Sequence, residues 1–189
     1  MHADAVLALF RESGALLEGH FRLSSGLHSG GYLQCALVLQ HPRHAEALGR
    51  ALAERVRRLD AQTVLSPALG GIVIGQEVAR ALGVRAIFAE RQDGTLTLRR
   101  GFTLAPGERV LVVEDVVTTA GSTRETMDVA RAPGATVVGA ASIIDRGAEP
   151  TRLDVPFEPL VRHALPTWDA EACPLCQRGV PIMKPGSRG

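Results

Sequence analysis

With 189 residues, of which 46% are hydrophobic and 22% charged, the chain can bury one full core; this excludes a disordered polypeptide and fits one globular domain with a small appendage. A formal net charge of +1 supplies no broad electrostatic field, so composition lends nothing to a general nucleic-acid or membrane-surface role and favours small-molecule chemistry. The N-terminus lacks the basic flank and apolar run of a signal peptide, no stretch reaches the roughly 18 apolar residues of a membrane span, and three cysteines make no disulfide framework, so a soluble cytoplasmic protein is expected.

Residues 3–13 place Val6, Leu7, Leu9 and Phe10 at helical spacing and stop at Gly14, which predicts a short leading helix. From Phe21 to Leu39 glycines and serines punctuate what reads as two short strands, a segment able to bend closely around a ligand. His41 to Leu59 reads as a long amphipathic helix with Pro42 at its first turn and arginines on its solvated face. Alternation follows: the strand TVLS, the turn PALGG, a helix from about Ile72 to Leu82 and the strand RAIFAE. A polar excursion from Arg91 to Phe102 leads to the strand RVLVVED, a helix from about Ser122 to Ala132, the strand TVVGAASIID and a further strand in FEPLVRHAL. Strands that are continuous apolar runs, separated by helices of about ten residues, predict an α/β fold whose mostly parallel central sheet is flanked by helices. Only the tail, 173–189, differs in composition.

In such a sheet ligands sit beyond the carboxyl ends of the strands, where turns expose backbone amides and helix N-termini. Residues 114–122 hold that position. Their turn offers successive N–H groups, the hydroxyls of Thr118, Thr119 and Ser122, and a helix beginning near Gly121, which together make a monophosphate cradle. No lysine follows to reach a nucleotide's terminal phosphates, and GGIVIG at 70–75 has the wrong spacing for a dinucleotide fingerprint. Glu114 and Asp115 would repel a phosphate unless they face a diol or a bridging magnesium ion, and a ribose 5-phosphate satisfies both halves. The plainer alternative is that the two acids cap the helix, but adjacent acids ending a buried strand are costly without a partner.

The stretch VVEDVVTTAGST resembles the phosphoribosyl-diphosphate (PRPP) binding motif of the type I phosphoribosyltransferases, and its double threonine resembles that of the orotate phosphoribosyltransferases. The resemblance spans roughly residues 3–165. It implies the type I fold with a small N-terminal hood over the base site, and hence a phosphoribosyltransferase domain over 1–172, its hood drawn mainly from 1–40, followed by a tail over 173–189. It also implies transfer of the 5-phosphoribosyl group from PRPP to orotate, giving orotidine 5′-monophosphate and pyrophosphate in UMP biosynthesis.

The resemblance assigns residues in turn. Glu114, Asp115, Val116, Val117, Thr118, Thr119, Ala120, Gly121 and Ser122 would bind PRPP, with Gly70 and Gly71 in the turn that approaches pyrophosphate, where many relatives carry a lysine. Ala120 stands where glycine is common, so a turn that tolerates a Cβ is expected. The family's mobile loop matches 91–101 and completes the neighbouring subunit's site in a homodimer; Arg91, Arg99 and Arg100 there would neutralise pyrophosphate and, with Asp115, carry catalysis. Exposed arginines on a hairpin are the bland alternative. Orotate would be held by Ser24, Ser25, Gly26, Tyr32, Thr118 and Arg146, the last supplying a fork for the carboxylate unless it is a surface arginine paired with Asp145 or Glu149. Mg2+ is the implied cofactor, bound mainly through PRPP. Cys173 and Cys176 have half the ligands of a zinc site, with Cys35 and His163, or a second subunit, as the source of the rest; a reduced pair is the simpler expectation, as is a surface hydrogen-bonding role for His28. Two further readings stand beside orotate transfer. A purine or xanthine phosphoribosyltransferase would share the PRPP half, and a PRPP-binding regulator would need no turnover, although 4% aromatic residues disfavour RNA recognition.

Overall fold

The computed structural model describes residues 1–23 and 26–184. Helix α1, Ala3–Glu12, buries Val6 and Phe10 and ends before Gly14, whose φ of 67° lets the chain reverse. Strands β1, Leu16–Arg22, and β2, His28–Leu33, pair antiparallel. The segment after them differs from the expected strand: Cys35–Leu39 is a short helix, α2, because Cys35, Val38 and Leu39 fall on one face at helical spacing and bury there. Helix α3, Pro42–Val56, starts with its proline in the first turn, where the missing N–H costs nothing.

The central sheet is built from β3, Thr63–Pro67; β4, Arg85–Gln92; β5, Thr95–Leu98; β6, Arg109–Val117; β7, Thr136–Asp145; and β8, Phe157–Arg162. Helix α4, Gly70–Leu82, joins β3 to β4, and α5, Gly121–Arg131, joins β6 to β7. The spatial order is β5-β4-β3-β6-β7-β8, parallel from β4 to β8 with β5 antiparallel at the edge. Successive residues of β6 feed opposite faces. Leu111 and Val113 join Val64, Ile143 and the buried sides of α1, α3 and α4, whereas Val110 and Val112 join Leu65, Ala140 and the Met127 and Ala130 face of α5. A sheet covered on both sides explains why its strands read as unbroken apolar runs.

The expected polar excursion after β4 is an ordered hairpin. Asp93 and Gly94 both have positive φ, 51° and 85°, the geometry of a tight two-residue turn, and β5 returns along β4. A second sheet forms the hood, in the order β1-β2-β9, with β9 at Thr167–Trp168. The tail folds onto it through helix α6, Pro174–Gln177, and then along β1: Arg22 N–H donates to Met183 O, and Met183 N–H to His20 O, each at 2.8 Å. Among the described residues no helix is long and apolar enough to cross a membrane.

Candidate active site

Strands β3, β6 and β7 end side by side, and the side chains at their carboxyl ends build two adjoining cavities. The smaller, about 100 Å³, is lined by Gly70, Gly71, Arg91, Glu114, Asp115 and Ser122 among others, so the turn after β3, the hairpin and the β6 motif meet there. A Cβ placed on Gly70 would lie 2.7 Å from Asp115 Oδ2, so only glycine leaves that carboxylate where it is.

The two acids are placed differently. Glu114 is buried, its Oε1 accepting from the Ser122 hydroxyl at 2.7 Å and its other oxygen from Thr123, so it fastens the first turn of α5 to the strand. Asp115 faces the cavity. Burial raises the pKa of both carboxyls, against the opposing hydrogen bonds from Thr123 and Ser122 to Glu114 and from backbone N–H groups to Asp115. Both groups are therefore desolvated, the condition in which a carboxylate favours a metal ion or a hydroxyl donor.

Between Val117 and Gly121 the chain turns sharply. Ala120 has φ 59° and ψ 22°, so the turn does require the left-handed conformation and the alanine occupies it at a cost of roughly 1 kcal/mol. This corrects the expectation of a turn indifferent to its Cβ. Thr118 and Thr119 are exposed at its outer side. Arg124, which carried no sequence signal, braces this turn by donating from Nη1 to Thr119 O at 2.8 Å and from Nη2 to Arg152 O at 3.0 Å.

The larger cavity, about 880 Å³, lies between the hood and the sheet and is lined by Arg22, Leu23, Leu27, Tyr32, Thr118 and Arg146, among others. Arg146 is half-buried and its backbone N–H donates to Val117 O at 2.7 Å, which ties it to the motif strand. It is not paired with Asp145. That carboxylate is held by the Thr151 hydroxyl at 2.8 Å, by the Gly147 and Thr151 N–H groups and by Arg162. Among the described residues the Arg146 guanidinium reaches one side-chain oxygen, Ser29 Oγ at 3.5 Å, and no carboxylate. Desolvation lowers its pKa, Tyr32 acting in the opposite sense. Gly26, with φ 87°, lies in the same hood turn but does not line the cavity, and Ser24 and Ser25 lie outside the described residues.

The three hairpin arginines diverge. Arg91 lines the small cavity, where Glu125 of α5 holds it at 2.8 Å while also accepting the Leu96 N–H at 2.7 Å. These contacts lower the Glu125 pKa, the Leu96 amide first. Arg100 forks onto Glu90 with two bonds of 2.7 Å and lies 5.8 Å from the centre of the Phe88 ring. Arg99 is exposed and lines neither of these two cavities. Glu125 was missed in the sequence, but the Asp93-Gly94 pair flanked by strand-like residues was a legible hairpin signal.

The metal-ligand expectation changes. Cys35 is buried in the main core, where desolvation pushes its thiol pKa up, with Asp115 adding to the rise. His28 is not on the surface: it is buried, 3.0 Å from His20, and both histidines lie beside Cys173 and Cys176.

Residues 36–159 match the phosphoribosyl transferase domain family. The chain is 53% identical over 188 residues to the orotate phosphoribosyltransferase of Pelotomaculum thermopropionicum, an alignment covering 100% of this chain and 99% of that one. Identity to the Thermotoga maritima orotate phosphoribosyltransferase is 49% over 181 residues, 96% and 97% of the two chains. The crystal structure of orotate phosphoribosyltransferase from Aeropyrum pernix superposes with a TM-score of 0.68 at 25% identity, covering 83% of this chain and 93% of that one. A motif, a sheet edge and full-length similarity thus converge, and the chain belongs to the orotate phosphoribosyltransferase family.

Proposed function

We propose that the protein transfers the 5-phosphoribosyl group of PRPP to orotate, forming orotidine 5′-monophosphate and pyrophosphate in the cytoplasmic route to UMP. The observation that carries the base assignment is Arg146, a cation half-buried in the larger cavity with no carboxylate against it among the described residues. Orotate brings that carboxylate, and a neutral purine does not.

The phosphate turn from Val116 to Ser122 takes the 5-phosphate on backbone amides and the Thr118 and Thr119 hydroxyls. Asp115, open to the small cavity, takes the ribose hydroxyls, while Glu114 holds α5. Gly70 and Gly71 let the chain approach the pyrophosphate, with Arg91 opposite. As the anomeric C–O bond breaks, its electron pair leaves on pyrophosphate, and a deprotonated ring nitrogen of orotate supplies the pair for the new C–N bond. The site's work is orientation, charge neutralisation and exclusion of water from an oxocarbenium-like centre. Two desolvated carboxyls beside a pyrophosphate site suit a hard cation, and Mg2+ held through PRPP hydroxyls by Asp115 would supply neutralisation of the leaving group. Tyr32 from the hood and Arg146 from the carboxyl end of β7 orient the base, and Ser24, Ser25 and Gly26 would close over it. Arg99 and Arg100 would act across a homodimer, where the hairpin reaches the neighbouring site. The proposed division keeps 1–172 as the catalytic domain and 173–189 as a tail, with the tail lying against the hood.

A base panel tests this: purified protein, Mg2+ and PRPP, with orotate, uracil, adenine, hypoxanthine and xanthine offered separately and nucleotide formation followed. Turnover with orotate alone is expected. Turnover with a purine would overturn the base assignment, and PRPP binding without turnover would favour a regulator.

A further inference from the structure

Two histidines and two cysteines from opposite ends of the chain meet inside the hood. His20 lies in β1, His28 opens β2, Cys173 precedes α6 and Cys176 sits within it. One nitrogen or sulfur from each lies within 4.8 Å of the others. His20 Nε2 is 3.0 Å from His28 Nδ1, 3.5 Å from Cys173 Sγ and 3.7 Å from Cys176 Sγ, while Cys176 Sγ is 3.2 Å from His28 Nδ1.

These separations are the edges of a coordination tetrahedron. Metal–sulfur bonds of ~2.3 Å and metal–nitrogen bonds of ~2.0–2.1 Å at tetrahedral angles place two nitrogens roughly 3.3 Å apart and a nitrogen and a sulfur roughly 3.6 Å apart. Hydrogen bonding alone does not account for the cluster. His20 Nδ1 lies 2.8 Å from Val180 O, an acceptor, so Nδ1 carries the proton and donates it. Nε2 is left with a single lone pair, yet three ligand atoms converge on it. An outer carbonyl that fixes the tautomer and aims the lone pair inward is the usual support of a metal-bound histidine. All three cysteines are free, so no disulfide competes.

We propose that His20, His28, Cys173 and Cys176 bind one zinc ion as a closed, structural site. Two thiolates with two imidazoles are a borderline-soft set that selects zinc over magnesium, and four protein ligands leave no position for substrate. The ion clips the tail to both strands of the hood. It also fixes the two ends of the turn between His20 and His28, whose Arg22, Leu23 and Leu27 line the large cavity. The site therefore shapes the base pocket without touching the reaction.

The test is a metal count on the full-length protein, loaded with zinc under reductant, desalted and measured by plasma mass spectrometry. About one zinc per chain is expected, and cobalt loading should give the intense visible bands of tetrahedral thiolate coordination. Cys176→Ser, at the exposed corner, should lower zinc affinity by roughly tenfold or more, while Cys35→Ala keeps the full count. A wild-type protein that retains no zinc, or cobalt bands that persist in Cys173→Ser/Cys176→Ser, would overturn the proposal. The wild-type count and spectrum decide the matter even where a variant fails to fold. Neither readout involves PRPP or orotate, so failure of the orotate assignment and failure of the zinc site are separate results.

Discussion

The turn after β6 and the hood are assembled in opposite ways. At the turn, residues 114–122 supply the acids, the hydroxyls and the helix start from one unbroken stretch; in the hood, four converging ligands come from positions 20, 28, 173 and 176. The first site is set by local backbone geometry resting on a sheet covered on both faces. The second exists only when both ends of the chain are in place. Chemistry that must survive small fluctuations is thus carried by the contiguous element, and the assembled one serves as a frame around the substrate.

The sharpest way to break this comparison is at Asp115. Asp115→Asn keeps shape but removes the charge facing the small cavity, and kcat should fall about 10²–10³-fold in steady-state assays. The same change should raise the stability of the ligand-free protein at neutral pH. Burial raises the Asp115 pKa, so its contribution to stability is full below the ordinary aspartate range and lost as pH rises through the elevated value. The Tm advantage of Asp115→Asn should therefore be absent in acid and reach roughly 2–4 °C above neutrality in calorimetry. No advantage at any pH would mean that the site is not desolvated as described.

Arg146→Ala tests the base pocket from the sheet side, at the end of β7. Removing the guanidinium should lower kcat/KM for orotate about 10–10²-fold while leaving PRPP binding by calorimetric titration near its original value. If PRPP binding fell equally, Arg146 would belong to the contiguous site instead. A smaller effect is expected from Arg124→Ala, which removes the brace on Thr119 O and should raise KM for PRPP a few-fold, on the order of 1 kcal/mol. Smallest is Ala120→Gly, which relieves a left-handed alanine but frees the unfolded chain; a net gain below about 1 kcal/mol is expected in denaturant titrations.

These differences also explain what was legible in the sequence. The parallel sheet showed in its apolar runs, and the motif showed because its chemistry is contiguous. The zinc ligands did not, because spacing of 8 between His20 and His28 and of 145 between His28 and Cys173 carries no local period; Cys173-Pro-Leu-Cys176 gave half a site and no route to the rest. Likewise Glu114 and Asp115 read as one pair, and only the direction of each side chain separates an anchor for α5 from a group open to the cavity. Helix α2 was hidden because a five-residue apolar run has no clear period.

The pairing of β1 with Met183 and of β2 with Trp168 has a consequence for synthesis. Every strand of the large sheet has left the ribosome once Arg162 emerges, so that sheet can fold while the chain is still growing. The hood, although it begins at Leu16, must wait for Trp168 and Met183, and these contacts across most of the sequence are the slowest kind to close. A chain stopped after Arg162 should therefore show sheet protection in hydrogen exchange without full protection of β1 and β2, whose outer partners Trp168 and Met183 are still missing.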